Sequence, residues 1–165
     1  MSAFPLPMDL RNLCDGSKEH WVLLSSYAYR DPIHGLIIAP IGMGTDMASV
    51  PRWFWPEIDP TNDVGPGAIP HDWLYGSRGL LRPGQPRLTR PQVDDVLYRA
   101  LRANGVGWTR ARIMWAAVRI GGQSSWDGGG DISGLLTVAV VQDTEQRVYL
   151  VEHAEPDDAG PERMA

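Results

Sequence analysis

The residues of this chain best suited to chemistry stand together at His71-Asp72-Trp73-Leu74-Tyr75, directly after the glycine-proline stretch Gly65-Pro66-Gly67. An imidazole is the side chain that can exchange a proton near neutral pH, and a positioned carboxylate or phenol is what fixes its tautomer. On a helix His71, Leu74 and Tyr75 share one face, at i, i+3 and i+4, whereas Asp72 points about 100° around the axis. That geometry predicts that His71 and Asp72 do not pair directly and that each finds its partner elsewhere.

One carboxylate is placed to be such a partner. From Thr89-Arg90-Pro91-Gln92, which carries the pattern of a capping box with proline in the first turn, a helix is expected to run to about residue 103. Its apolar stripe is Val93, Leu97, Tyr98 and Leu101, and Asp94 falls on that stripe. A buried carboxylate is costly unless it is paired, so Asp94 must have a cationic or hydrogen-bonding neighbour, while Asp95 can be solvated. Upstream, Thr45-Asp46-Met47-Ala48-Ser49 places Asp46 and Ser49 at the spacing of a helix cap and its third residue. The segment reads either as a capped turn docking Trp53, Phe54 and Trp55 or as the source of an Asp46 ligand to the histidine or a metal. Ser49 lacks the Gly-x-Ser-x-Gly elbow of a nucleophilic serine.

The elements that must hold these residues follow from the pattern of apolar and turn residues. Residues 1–19 read as an N-terminal arm. Residues 20–30 are rich in β-formers and meet the turn signal Asp31-Pro32, after which Leu36-Ile37-Ile38-Ala39 supplies a second strand, so a β-hairpin is expected. Three helices are expected, at about 68–76, 90–103 and 109–121, the last drawing Ile113, Met114, Ala117, Val118 and Ile120 to the core. Residues 20–126 form the core domain, 127–133 a glycine-rich linker, 134–153 a C-terminal β-hairpin and 154–165 a disordered acidic tail. The fold class is α+β, with small antiparallel β-hairpins packed on about three helices in a single domain.

Composition narrows the function classes. A chain of 165 residues with 43% hydrophobic content supports one core. Net charge is -5 and the basic residues are scattered, which argues against nucleic acid as a partner. The single Cys14 excludes an internal disulfide. There is no basic and apolar leader at the start, and no run of about 18 apolar residues to span a bilayer, so synthesis in the cytoplasm is expected. Seven tryptophans are many for this length, and some are expected to face another protein or a lipid surface.

Four motifs resemble, in order, the family catalogued as domain of unknown function 1353: Thr45-Asp46-Met47-Ala48-Ser49-Val50-Pro51, His71-Asp72-Trp73-Leu74-Tyr75, Val93-Asp94, and Met114-Trp115-Ala116-Ala117-Val118-Arg119 before a glycine. The resemblance implies a phage or prophage context; within it, the tryptophans, the two hairpins and the absence of disulfides fit a virion component (tail or baseplate) with other phage structural proteins as partners. His-Asp-x-x-Tyr followed by an inward Asp on a second helix is also similar to secreted phospholipase A2. That likeness implies His71 as general base, Asp94 and Tyr75 as the groups that orient it, and Asp72 as a Ca2+ ligand completed by carbonyls from Gly65 and Gly67. A membrane lipid or another cell-envelope bond would then be the substrate. Two further readings stay open: a metal-dependent cell-wall hydrolase using His71, Asp46 and Asp94, and a His-Asp-Tyr network that only locks helices together, with Asp46, Ser49 and Thr45 in supporting roles.

Overall fold

The computed structural model describes residues 2–12, 21–45, 64–82 and 84–128. Among the described residues the architecture is α+β, with two small antiparallel sheets and four helices in one domain. Strand β1 (Leu10–Asn12) pairs with β2 (Trp21–Leu23), which pairs with β5 (Gly44–Thr45); β3 (Tyr27–Asp31) and β4 (Gly35–Ala39) form the second sheet. The helices are α1 (Gly65–Gly76), α2 (Arg90–Ala103), α3 (Trp108–Gly121) and the short α4 (Gln123–Asp127).

The β3–β4 hairpin stands where the sequence places it, with Tyr27 opposite Ala39 and Asp31 opposite Gly35. Its turn is built by Asp31, whose Oδ1 accepts the backbone N–H groups of Ile33 (3.0 Å) and His34 (2.8 Å). Arg99 of α2 then grips the same carboxylate, Nε to Oδ2 at 2.7 Å and Nη2 to Oδ1 at 3.2 Å, fastening the hairpin to the helices. The β-rich run is interrupted after Leu23, so β2 belongs to the other sheet. The stretch read as an N-terminal arm is also more than an arm. Leu6 is buried, Phe4 stacks on Tyr27 and Tyr29, and Leu10 opens a strand, because the first sheet needs an outer partner for β2.

Helix α1 begins at Gly65, three residues before the expected position, because Pro66 sits at its first turn, where the missing N–H costs nothing. Gly65 and Gly67 are therefore helical and not a loop. Gly67 is where α1 crosses α2: an added Cβ would lie 3.0 Å from the Leu101 backbone nitrogen. The helix stops at Gly76, as expected. The chain leaves it through the left-handed pair Arg78 (φ 51°) and Gly79 (φ 77°), where the Gly79 N–H donates to Leu74 O at 2.7 Å.

Helix α2 spans the expected residues, and the Thr89 backbone N–H donates to Gln92 Oε1 at 2.8 Å, as a capping box requires. One apolar cluster joins Tyr29, Ile37, Ile69, Leu74 and Val93 between sheet and helices; a second joins Ala68, Leu97, Leu101, Met114 and Val118 among α1, α2 and α3. Asp127, expected at the start of a linker, is helical and closes α4. The C-terminal hairpin and tail, at 134–153 and 154–165, lie outside the described residues.

Candidate functional site

Helix α1 carries His71 and Tyr75 on the face turned to α2, and both are buried. Their rings lie against each other with centroids 4.2 Å apart, and the edge of Tyr75 meets Trp126 of α4 at 5.3 Å. Asp94 comes up from α2 with no solvent exposure, fulfilling the expectation that a carboxylate on the apolar stripe needs partners. It has four. The Tyr75 hydroxyl donates to Oδ1; His71 Nε2 lies 3.9 Å from Oδ1; Arg119 Nε lies 3.0 Å and Arg90 Nη1 3.7 Å from Oδ2.

The other side of the imidazole faces Asp72. Nδ1 lies 3.4 Å from Asp72 Oδ1, which corrects the expectation that the two neighbours cannot meet. The reason is outside the helix: the Thr45 hydroxyl of β5 donates to Asp72 Oδ2 at 2.7 Å, turning the carboxylate back over the histidine. The imidazole is thus held between two carboxylates, one from its own helix and one from α2. His71 Nε2 and Asp94 Oδ2 lack an aligned hydrogen bond, so their contacts are ion-pair contacts.

Electrostatics follow from this placement. Burial lowers the basicity of His71, but the close approach of the Asp72 and Asp94 carboxylates and the charges of both outweigh it, so its pKa is raised. Burial likewise disfavours the Asp94 carboxylate, yet His71, Tyr75 and Arg119 overcome it and hold its pKa below the usual range. Tyr75 is pushed up by burial and by the adjacent Asp94, so it stays a neutral donor. The favoured state is an imidazolium between two carboxylates, with Arg119 and Arg90 balancing the second.

Of the residues singled out in the sequence, the structure brings together His71, Asp72, Tyr75, Asp94 and Thr45. Asp46 and Ser49 lie outside the described residues. Gly65 and Gly67 do not fit a calcium shell as loop carbonyl donors. In the first turn of α1 their carbonyls point along the axis toward the N–H groups four residues on. Among the described residues no three His, Cys, Asp or Glu side chains converge as a metal cluster.

Sequence reasoning missed Arg119, Arg90 and Gly122. Arg119 sits inside one of the motifs quoted above, and the need of a buried Asp94 for a cation was the signal that pointed to it. Arg90 stands four residues before Asp94 on α2, the spacing of a helical ion pair. Gly122 permits the end of α3 to approach Tyr75, for an added Cβ would lie 2.6 Å from its hydroxyl.

A family described as "Protein of unknown function (DUF1353)" matches residues 21–118, more than half of the chain. The chain belongs to this family. The matched span of the DUF1353 chain contains His71, Asp72, Tyr75, Asp94 and Thr45, with Arg119 and Gly122 just beyond it. No curated protein and no solved structure matches the chain.

Proposed function

We infer that the chain is a non-catalytic structural protein of a phage particle, in which the His71 cluster locks α1, α2, α3 and β5 together. The observation that supports this reading is the double engagement of the imidazole. A general base must present a free nitrogen to water, but Nδ1 has Asp72 Oδ1 at 3.4 Å and Nε2 has Asp94 Oδ1 at 3.9 Å, gaps that admit no water between the atoms. The ring is also 1% exposed. A raised pKa favours the protonated ring, the wrong state for accepting a proton. The phage context is what the family resemblance implies.

The surface suits a protein that assembles with others. Trp108 is 61% exposed and Ile120 85% exposed on α3, and Ile33 stands out from the braced hairpin turn. A particle assembly supplies neighbours for such side chains, and other phage structural proteins are the partners this reading expects.

Two experiments test it. Particles induced from a strain carrying the gene are purified and their proteins identified by mass spectrometry; the chain is expected among them, and its absence contradicts the assignment. The purified chain is also incubated with phospholipid vesicles and with peptidoglycan, with and without millimolar calcium. Turnover no greater than that of His71→Asn is expected. A His71-dependent turnover requiring calcium would instead establish the phospholipase-like alternative, and one requiring another metal the cell-wall hydrolase.

A further inference from the structure

The outer face of the α2–α3 pair carries a pattern that the buried cluster does not use. On α3, Trp108, Arg112, Trp115 and Arg119 recur at i, i+4, i+7 and i+11, so aromatic rings and guanidinium groups alternate along one stripe. The Arg112 guanidinium lies 4.6 Å from the centre of the Trp115 ring and 5.9 Å from that of Tyr98 on α2, and Arg119 lies 4.9 Å from Trp115 on its other side. Asp95 anchors the inner end, accepting the Trp115 indole N–H and an Arg119 donor, each at 2.8 Å. Arg119 is thereby neutralised, but among the described residues Arg112 meets only rings and no carboxylate. Stacking holds its donors in place without using them.

Charge is divided unevenly along the chain. Residues 64–128 hold nine arginines against four aspartates and no lysine or glutamate, whereas residues 152–165 hold five acidic residues against the single Arg163. Twenty-three residues separate Gly128 from Glu152, and at about 3.3 Å per extended residue they reach several times the length of α3, which is about 21 Å for its 14 residues.

We propose that the Trp108–Arg112–Trp115 face is a docking surface for an acidic polypeptide segment, and that its occupant is the chain's own residues 152–165. The five acidic residues of that segment supply the negative charge that Arg112 lacks among the described residues. The site is then self-covered until a partner with a stronger acidic segment displaces the tail. This inference is independent of the role of His71.

The test uses the full chain and the indole N–H resonances of its tryptophans, with Trp108 assigned from Trp108→Phe. Neutralising the tail in one variant, Glu155→Gln/Asp157→Asn/Asp158→Asn, is expected to move the Trp108 resonance, and raising salt to about 0.5 M is expected to move it the same way in the natural chain, since screening weakens exposed pairs. Arg112→Glu provides the matching change on the face without touching the tail, and should make the Trp108 resonance insensitive to salt. A Trp108 resonance that is the same in the natural chain and the tail variant would overturn the proposal. A shift that grows with protein concentration would also overturn it, by assigning the face to a second copy.

Discussion

Asp94 and Asp95 are adjacent on α2 and both contact Arg119, yet they belong to two different regions. Asp94 has no exposure, and its carboxylate gathers Tyr75, His71, Arg90 and Arg119 into the interior. Asp95 has a side chain 49% exposed and holds Trp115 and Arg119 at the surface. A helix turns its successive residues about 100° apart, so one step along the chain moves a carboxylate from core to solvent. The same functional group then has different consequences: inside, it decides whether the domain holds together; outside, it tunes a surface.

The contrast can be broken at its strongest point first. Asp94→Asn removes one partner from a buried charge network and is expected to cost about 3–5 kcal/mol in denaturant unfolding. A cost no larger than that of the Asp95 change would show that the interior network is not what holds the helices. Next in size is Gly122→Ala. Its Cβ would lie 2.6 Å from the Tyr75 hydroxyl, which Asp94 holds in place, so a loss of about 1–3 kcal/mol is expected in thermal or denaturant unfolding.

The pH profile separates the regions further. The raised pKa of His71 means that its stabilisation is complete below its ordinary value of 6.5 and is lost as pH rises through the raised value. The lowered pKa of Asp94 works in the opposite sense: its stabilisation is present above the ordinary value of 3.8 and lost as pH falls through the lowered one. Unfolding free energy is therefore expected to peak between these ordinary values and to decline toward alkali, and the alkaline decline should vanish in His71→Gln. The smallest effect is expected for Asp95→Asn, about 0–1 kcal/mol, as for other half-exposed ion pairs. Its signature is a change in Trp115 fluorescence with the unfolding midpoint nearly fixed.

Much of this arrangement is readable in the sequence because it follows local rules. The α2 boundaries come from the Thr89–Gln92 box, the β3–β4 hairpin from Asp31-Pro32, and the burial of Asp94 from its place on an apolar stripe. What the sequence hides is set by contacts between distant segments. The Asp72 side chain turns toward His71 because Thr45, 27 residues away, holds its far oxygen, and no helical-wheel argument contains that bond. Arg119 shares Asp94 and Asp95 because α3 returns antiparallel beside α2. Gly65 and Gly67 look like loop residues by type, but both are helical, and the smallness of Gly67 serves the helix crossing, where Leu101 leaves no room for a side chain.

The central claim is that His71 is an imidazolium engaged on both sides and not a free base. Its most direct test is a pH titration of the His71 ring nitrogens by nitrogen-15 NMR, assigned with His71→Gln. The predicted result is a ring with both nitrogens protonated at pH 7, titrating above 6.5. A neutral ring at pH 7, with one nitrogen unprotonated and responding to added calcium or phospholipid, would contradict the lock and make His71 a working base.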